Sequence, residues 1–260
     1  MLVAIQAGLE AVKTKYTLKI RSDLIIKSSD FLQHWDAYPK HNGKMRIFEH
    51  RIVIGSTFAQ FAHVMDDGMQ LLPFHMSDWV HFGLTDDLKM LFGCPLQSEN
   101  AANTYWHGLE RKNYEPFPAA CWQYPPESYI LYAIVKKKFP QVKFENTDDY
   151  NATNMQLSNM VMADNFIILD DSNFHFVLKK YPQLTRWSYK YYDGFITQLQ
   201  WQYLYKTYCD PEYKFFDFDW KRVLANIFNI KLLLQFPKRY IRAVFPLGKK
   251  LREKFYIGLA

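Results

Sequence analysis

The apolar side chains of this chain change their spacing at Tyr16, and no other feature constrains the fold more. Before that point they recur at intervals of three and four, as on the inward face of an amphipathic helix: Leu2, Ile5, Leu9 and Val12. The following stretch YTLKIRSDLII, residues 16–26, has period two. Its apolar side holds Leu18, Ile20 and Leu24, and its charged side holds Lys19, Arg21 and Asp23. The pattern predicts a helix that runs directly into a strand.

Helix and strand patterns continue to alternate through the body of the chain. Further strands are predicted in KMRIFEHRIVIG, in PFHMSDWVHFG, and in DNFIIL followed by FHFVLKKY around the turn DDSN. Further helices are predicted in LTDDLKMLF, PPESYILYAIVKKKF and DGFITQLQWQYLYKTY. This order is typical of an α/β fold with a mixed sheet and flanking helices.

Residues 216–260 differ in composition from the body, so we assign them to a separate segment after a domain at 1–215. Residues 221–260 hold ten Lys and Arg and one Glu, a formal charge of +9, which leaves −3 for the preceding residues. Leu and aromatic residues at helical spacing alternate with these cations, as in helices that lie on anionic membranes. A basic helix packed on the domain is the alternative, and binding to a nucleic-acid backbone is the least favoured of the three.

The cysteines and the N-terminus bear on the cellular setting. Three widely spaced cysteines form neither a disulfide framework nor a CxxC pair, and they fit a reducing compartment. The N-terminal residues lack the features of a signal peptide, and no apolar stretch reaches the ~18 residues of a spanning helix. We therefore expect a cytoplasmic protein that lies peripherally on the inner face of the cytoplasmic membrane.

The charged side of the first strand is the strongest candidate for a site. In many nucleotide-sugar enzymes, two carboxylates at i and i+2 of such a strand hold a divalent cation against the phosphates of the donor. Here Arg21 stands at the first position and Asp23 at the second, so half of that clamp is present. Either Asp23 holds Mg²⁺ or Mn²⁺, or Arg21 pairs with the diphosphate through its planar guanidinium. The competing interpretation is an edge strand whose charges face water.

Other candidate motifs are weaker. His75 and His81 lie six residues apart, but no third ligand is near in sequence, which disfavours a zinc site. The chain has no Gly-rich phosphate loop, GxSxG elbow or HExxH motif.

Several motifs together resemble the WavE-type lipopolysaccharide-synthesis proteins, a bacterial group regarded as glycosyltransferases. They are GLEAVKTKYTLKIRSDLII, HMSDWVHFGLTDDLKMLF, PPESYI, and ADNFIIL with KKYP, in this order from about Gly8 to Tyr181. The most specific is the strand LKIRSDL preceded by GL and TKY. The resemblance implies a GT-A-like fold, in which a nucleotide-binding α/β half precedes an acceptor-binding half.

Carried over by position, the resemblance implies roles for residues of the first strand and of two later motifs. Donor binding would fall to four residues at the end of that strand, with Asp23 toward the metal and the diphosphate: Lys19, Arg21, Ser22 and Asp23. Residues 77–79, Ser-Asp-Trp, would line a sugar, and Asp78 or Glu127 would take the proton of the acceptor hydroxyl. Glu127 also begins a helix, where a carboxylate is favourable without any catalytic role.

Two classes of function follow from these observations. The first is a glycosyltransferase that moves a sugar from a nucleotide-diphosphate donor to a lipopolysaccharide or other surface-glycan acceptor, with Mn²⁺ or Mg²⁺ as its cation. GT-A enzymes place one or two strands before the motif strand, and here only a helix precedes it, so we expect part of the nucleotide-binding half to be missing. The second is a non-catalytic remnant or interaction module that binds anionic membrane or nucleic acid through residues 216–260.

Overall fold

The computed structural model describes residues 1–64, 69–111, 121–178 and 194–215. The helices are α1 Leu2–Ala11, α2 Thr85–Phe92, α3 Pro126–Lys138, α4 Ala152–Asn165, α5 Asp171–Phe174 and α6 Gln198–Tyr208. The strands are β1 Tyr16–Ile20, β2 Leu24–Ile26, β3 Ile52–Gly55, β4 Ala62–Val64, β5 Met69–Leu71, β6 Val80–Leu84, β7 Phe166–Leu169 and β8 Phe176–Leu178. The predicted tail at 216–260 and the KKYP motif at 179–182 lie outside the described residues.

The largest sheet in the described residues has the strand order β1-β6-β3-β7. β1 and β3 both run antiparallel to β6, and β7 runs parallel to β3. The carboxyl ends of β1, β3 and β7 therefore lie at the same edge of the sheet as the amino end of β6. The predicted α/β fold with a mixed sheet is confirmed, and the carboxyl edge of such a sheet is a common place for ligands to bind.

The single strand predicted over residues 16–26 is in fact two strands in different sheets. The Leu24 N–H donates to the carbonyl of Arg21 at 3.1 Å, and this bond turns the chain after β1. β2 then pairs with β8 in a separate two-stranded sheet. Period-two alternation continued across the turn, so the sequence pattern carried no sign of the break.

The charged side of β1 is more buried than its apolar side, which is the reverse of the usual arrangement. Leu18 and Ile20 are 38% and 43% exposed, whereas Lys19 and Arg21 are half-buried. β1 is the outermost strand in the described sheet, so its apolar side is only partly covered. Its other side is tied to α2 by the hydroxyl pair Thr17–Thr85 at 2.7 Å. The charged side of β1 therefore faces the protein, and the solvated-edge interpretation does not hold.

The two strands predicted around the turn DDSN both form, but they do not pair with each other. β7 joins the largest sheet beside β3, while β8 pairs with β2, and the short helix α5 separates them. No pattern predicted α4, because polar residues are buried along it and it has no clear polar side: Asn154, Ser158, Asn159, Asp164 and Asn165.

The core is built on β3 and β7, whose residues are fully buried. Both strands are short, continuous apolar runs, as expected for strands covered on both faces. Trp201 of α6 is also fully buried, and its Nε1–H donates to the carbonyl of Met162 in α4 at 3.1 Å. This core supports the sheet edge at which β1, β3 and β6 meet.

Among the described residues, no helix has the length and apolar character that crossing a bilayer requires. The three cysteines are free thiols.

The loop at 72–79, between β5 and β6, is fixed in the interior by backbone hydrogen bonds. The Phe74 N–H donates to Ser158 Oγ of α4 at 2.8 Å, and the His75 carbonyl accepts from the Gln60 N–H at 3.1 Å. At its other end the Trp79 carbonyl accepts from the Arg21 N–H at 3.2 Å. The loop therefore has a defined position against β1 and α4.

We predict that Ser158→Ala destabilises the protein by about 1–3 kcal/mol, because it leaves the buried N–H of Phe74 without an acceptor. The matched control is Ser28→Ala, which removes a solvent-exposed hydrogen bond to the Asp30 N–H and should cost less than about 0.5 kcal/mol. Chemical denaturation measures both. Equal losses in the two variants would contradict the anchoring role of Ser158.

Candidate functional site

Two cations lie beside the loop at 72–79: Lys19 of β1, and Arg21, which directly follows β1. The Nζ of Lys19 donates a hydrogen bond to the backbone carbonyl of Asp78 and lies 5.8 Å from the centre of the Phe92 ring. Arg21 continues the β1–β6 pairing by one residue, through its bond to the Trp79 carbonyl. Both side chains reach the loop because alternate residues of a strand share a face.

The guanidinium of Arg21 is held in a fixed plane. Its Nε lies 3.0 Å from one carboxylate oxygen of Asp23 and its Nη2 lies 3.1 Å from the other, in a bidentate pair. Its Cζ lies 4.2 Å from the centre of the Trp79 ring. Both partners are half-buried, so the ion pair is partly screened by solvent. The result is a cation oriented at the carboxyl end of β1.

Asp23, the predicted metal ligand, has both carboxylate oxygens on the guanidinium of Arg21. The described residues contain no cluster of three or more His, Cys, Asp or Glu side chains that could hold a metal ion. Mg²⁺ and Mn²⁺ take several oxygen ligands, which donor phosphates and water would supply beside Asp23. A metal there stays a prediction, and in this geometry the carboxylate orients Arg21.

Asp78 is a buried carboxylate just before the amino end of β6. It is 3% exposed, and its Oδ1 has no hydrogen-bond partner among the described residues. Burial raises the pKa of Asp78 and the charge of Glu127 raises it further, while Lys19 and Arg21 lower it. An oxygen that is buried without a donor is costly. Asp78 is therefore a position at which a ligand hydroxyl would be stabilised.

Glu127 comes from the first turn of α3, directly after Pro126. Its side chain is 21% exposed, and its Oε2 lies 3.8 Å from Nε2 of His75. Burial raises the pKa of Glu127, while Arg21 and Lys19 lower it. The dipole of α3 favours a carboxylate here, but a carboxyl whose pKa is raised and which faces two cations is also typical of a functional site.

Lys19 is the cation most affected by burial. Burial lowers its pKa to about 8, the charge of Arg21 contributes in the same direction, and the carboxylates of Asp78 and Glu127 oppose the change. Lys19 is therefore charged at neutral pH, but loses its proton at a far lower pH than an exposed lysine.

A groove of about 870 Å³ lies between α1 and β1. One wall is the apolar side of α1, and the other wall is the run Thr17–Asp23, which includes both cations and Ser22. The volume is in the range of sites that bind drug-sized ligands. An anionic group in this groove would meet Lys19 and Arg21 at the end of β1.

The structure brings four of the predicted site residues into one electrostatic cluster: Lys19, Arg21, Asp78 and Glu127. Ser22 is exposed in the turn after β1. Ser77 and Trp79, expected to line a sugar, lie inside the protein; Ser77 Oγ accepts the Trp79 N–H at 3.3 Å. His81 of β6 is buried against Phe92 of α2, whereas His75 lies in the loop at 72–79.

Two residues of the site were not predicted as such. His75 is 6% exposed and lies against Glu127, and Phe58 lies behind His75 with its carbonyl 3.1 Å from Nδ1 of that ring. The sequence feature that could have predicted His75 as a site residue is the presence of a histidine in an otherwise apolar motif. Phe58 has φ +62°, in the left-handed region, and nothing in its residue type indicates that backbone conformation.

Comparison with known proteins gives one positive result. The family model described as WavE lipopolysaccharide synthesis matches residues 1–230. No curated protein and no solved structure matches the chain. The match spans the elements that carry the site, from β1 through α3.

We predict that Lys19 titrates near pH 8 in the folded protein. Reductive ¹³C-methylation of the lysine amines followed by an NMR titration should give one resonance with a midpoint near that pH, and this resonance should be absent in Lys19→Arg. The cause is burial of the amine, so the same resonance should lose its low midpoint on unfolding in urea. A Lys19 resonance that shows no titration below about pH 10 would contradict the buried position of the amine.

Proposed function

The chain belongs to the WavE lipopolysaccharide synthesis family, and on this basis we propose that it is a glycosyltransferase of lipopolysaccharide synthesis with a GT-A-like domain at residues 1–215. The donor is a nucleotide-diphosphate sugar, and the acceptor is a hydroxyl of a lipopolysaccharide or other surface glycan. The family description supports the pathway, and the charged cluster at the end of β1 supports the chemistry.

The observation that carries the proposal is the juxtaposition of two oriented cations with two carboxyls of raised pKa. Lys19 and Arg21 come from one strand, and Asp78 and Glu127 come from a loop and a helix far away in sequence. Burial of four ionisable groups together is costly and adds little to stability. Such an arrangement is expected where the groups act on a ligand.

The donor diphosphate would be bound by Lys19 and Arg21. An anion in the groove offsets the burial of the Lys19 amine and accepts hydrogen bonds from a guanidinium whose plane is already fixed by Trp79. The same charges stabilise the leaving diphosphate as its negative charge grows during transfer. Asp23 fixes the orientation of the Arg21 guanidinium through two hydrogen bonds.

A sugar transfer that inverts the anomeric carbon requires a base at the acceptor hydroxyl. Asp78 or Glu127 takes the hydroxyl proton, the acceptor oxygen forms its bond to the anomeric carbon, and the bond from that carbon to the diphosphate breaks with its electron pair on the diphosphate. A carboxyl whose pKa is raised toward neutrality is a more effective base than an exposed one. Lys19 and Arg21 counter the charge on the departing group.

Attachment to the membrane would come from residues 216–260. Their formal charge and interleaved aromatic residues are suited to an anionic surface, and the acceptor of a lipopolysaccharide enzyme is itself lipid-linked. We place the enzyme on the cytoplasmic side of the inner membrane. The alternative, an interaction module without catalysis, would use the same segment and would need no buried charged cluster.

We predict that a nucleoside diphosphate raises the melting temperature of the protein. UDP and GDP are compared with CMP, which carries a single phosphate, each with and without Mn²⁺; at one hundred times Kd the effective nucleotide stabilises the fold by about 2.7 kcal/mol. Lys19→Met and Arg21→Met should abolish the effect, and Arg46→Met, at an exposed arginine that does not line the groove, should retain it. If none of the nucleotides shifts the melting temperature of the unsubstituted protein, the transferase assignment fails.

We predict that replacing the carboxyl that acts as the base by its neutral amide lowers the turnover of the enzyme by about 10²- to 10⁴-fold. Asp78→Asn and Glu127→Gln are compared with Asp86→Asn, which removes an exposed carboxylate from α2. Release of nucleoside diphosphate in the presence of a core-oligosaccharide acceptor gives the rate, and the nucleotide-induced rise in melting temperature verifies that the donor still binds. Full activity in both site variants would rule out either carboxyl as the base.

A further inference from the structure

We propose that His75 is a positioning residue for Glu127: its Nε2 accepts a hydrogen bond from the Glu127 carboxyl once that carboxyl has taken up a proton. The catalytic consequence rests on the proposed function, in which Glu127 is one of two candidate bases. The geometric claim concerns the ring and the carboxyl alone, and it can be tested without any transfer assay.

The tautomer of His75 is fixed by its surroundings. Nδ1 lies 3.1 Å from the carbonyl of Phe58, and a carbonyl only accepts hydrogen bonds, so Nδ1 carries the proton. Nε2 of a neutral ring then carries a lone pair, and it lies 3.8 Å from Oε2 of Glu127. This distance exceeds a hydrogen bond, and catalytic hydrogen bonds are often long before the ligand arrives.

Phe58 is held firmly enough to serve as the fixed partner of His75. It follows β3, with a φ of +62°, and its ring is stacked on Trp79 at 5.3 Å and packed on Phe195 at 5.2 Å. Trp79 also contacts the guanidinium of Arg21, whose Cζ lies 4.2 Å from the centre of the ring. A continuous series of contacts therefore joins the diphosphate-binding Arg21 to Phe58, His75 and Glu127.

The charges around the pair favour a neutral imidazole. Burial lowers the pKa of His75 to about 4, against opposing effects of the Phe58 carbonyl and Asp78. In the described residues, the titratable and charged groups that face the pair are Lys19 of β1, Arg21 directly after β1, and Asp78, which lies in the loop at 72–79 with His75. A neutral Nε2 lone pair opposite a carboxylate is unfavourable, whereas opposite a protonated carboxyl it forms a hydrogen bond. His75 therefore stabilises the protonated form of Glu127, which makes Glu127 a stronger base.

Two substitutions separate the two nitrogens of the ring. His75→Asn places an amide N–H near the position of Nδ1 and keeps the bond to Phe58, but it has no atom at Nε2. His75→Gln places an amide oxygen near the position of Nε2 and keeps the acceptor, but it loses the bond to Phe58. His75→Asn should therefore change the pKa of Glu127 and leave the packing of Phe58 intact. His75→Gln should do the reverse.

The measurement is an NMR titration of the Glu127 side-chain carboxyl carbon in the full chain, assigned with Glu127→Gln. His75→Asn should lower the pKa of Glu127 by about one unit, a tenfold loss of proton affinity, and His75→Gln should leave it within a few tenths. An unchanged or higher pKa in His75→Asn would overturn the proposal.

A second measurement, on the unsubstituted protein, tests the same contact even if a variant does not fold. With ¹⁵N-labelled histidine, the Nε2 signal of His75 should shift through the same pH range as the Glu127 carboxyl, while its Nδ1 signal stays that of a protonated nitrogen. An Nε2 signal indifferent to the titration of Glu127 would refute the contact. If both titrations agree but Glu127→Gln retains full transfer activity, the pair stands and only the assignment of Glu127 as the base fails.

Discussion

The pairing of β1 with β6 determines the geometry of the whole candidate site. Its register sets Ile20 opposite Val80, and the next backbone bond, from Arg21 to Trp79, extends it into the loop. A shift of one residue would turn Lys19 and Arg21 to the other face of the sheet. The cations would then lie on the partly exposed side of the strand, away from both carboxyls. The β1–β6 register is thus the local constraint on which the electrostatic cluster depends.

The cluster combines opposing effects of burial and charge. Burial disfavours the charged forms of three members, raising the pKa of Asp78 and Glu127 and lowering that of Lys19. Attraction between the cations and the carboxyls compensates in part. The unpartnered Oδ1 of Asp78 and the long approach of His75 to Glu127 show that the compensation is incomplete in the described residues. A ligand that supplies a hydroxyl and a diphosphate would complete it.

The local elements of this fold were largely predictable, and the contacts between distant elements were not. The spacing of apolar residues predicted α1, and Pro126 with the lysines at the other end predicted α3, because these signals are local. The pairing of β7 with β3 and of β8 with β2 depends on the whole sheet, so adjacent strand patterns suggested a hairpin that does not form. The period-two pattern gave the two faces of β1 but not which face is buried, since β1 is an edge strand.

Within the site, the family resemblance predicted Asp78 and Glu127 as candidate bases, and only the fold brings them to β1. Phe58 could not have been found, because its role rests on its backbone carbonyl and its left-handed conformation. The most direct test of the account is a crystal structure of the protein with a bound nucleoside diphosphate. We expect phosphate oxygens at hydrogen-bond distance, about 2.7–3.2 Å, from Nζ of Lys19 and the guanidinium of Arg21. A diphosphate bound away from the end of β1, with both cations unchanged, would contradict it.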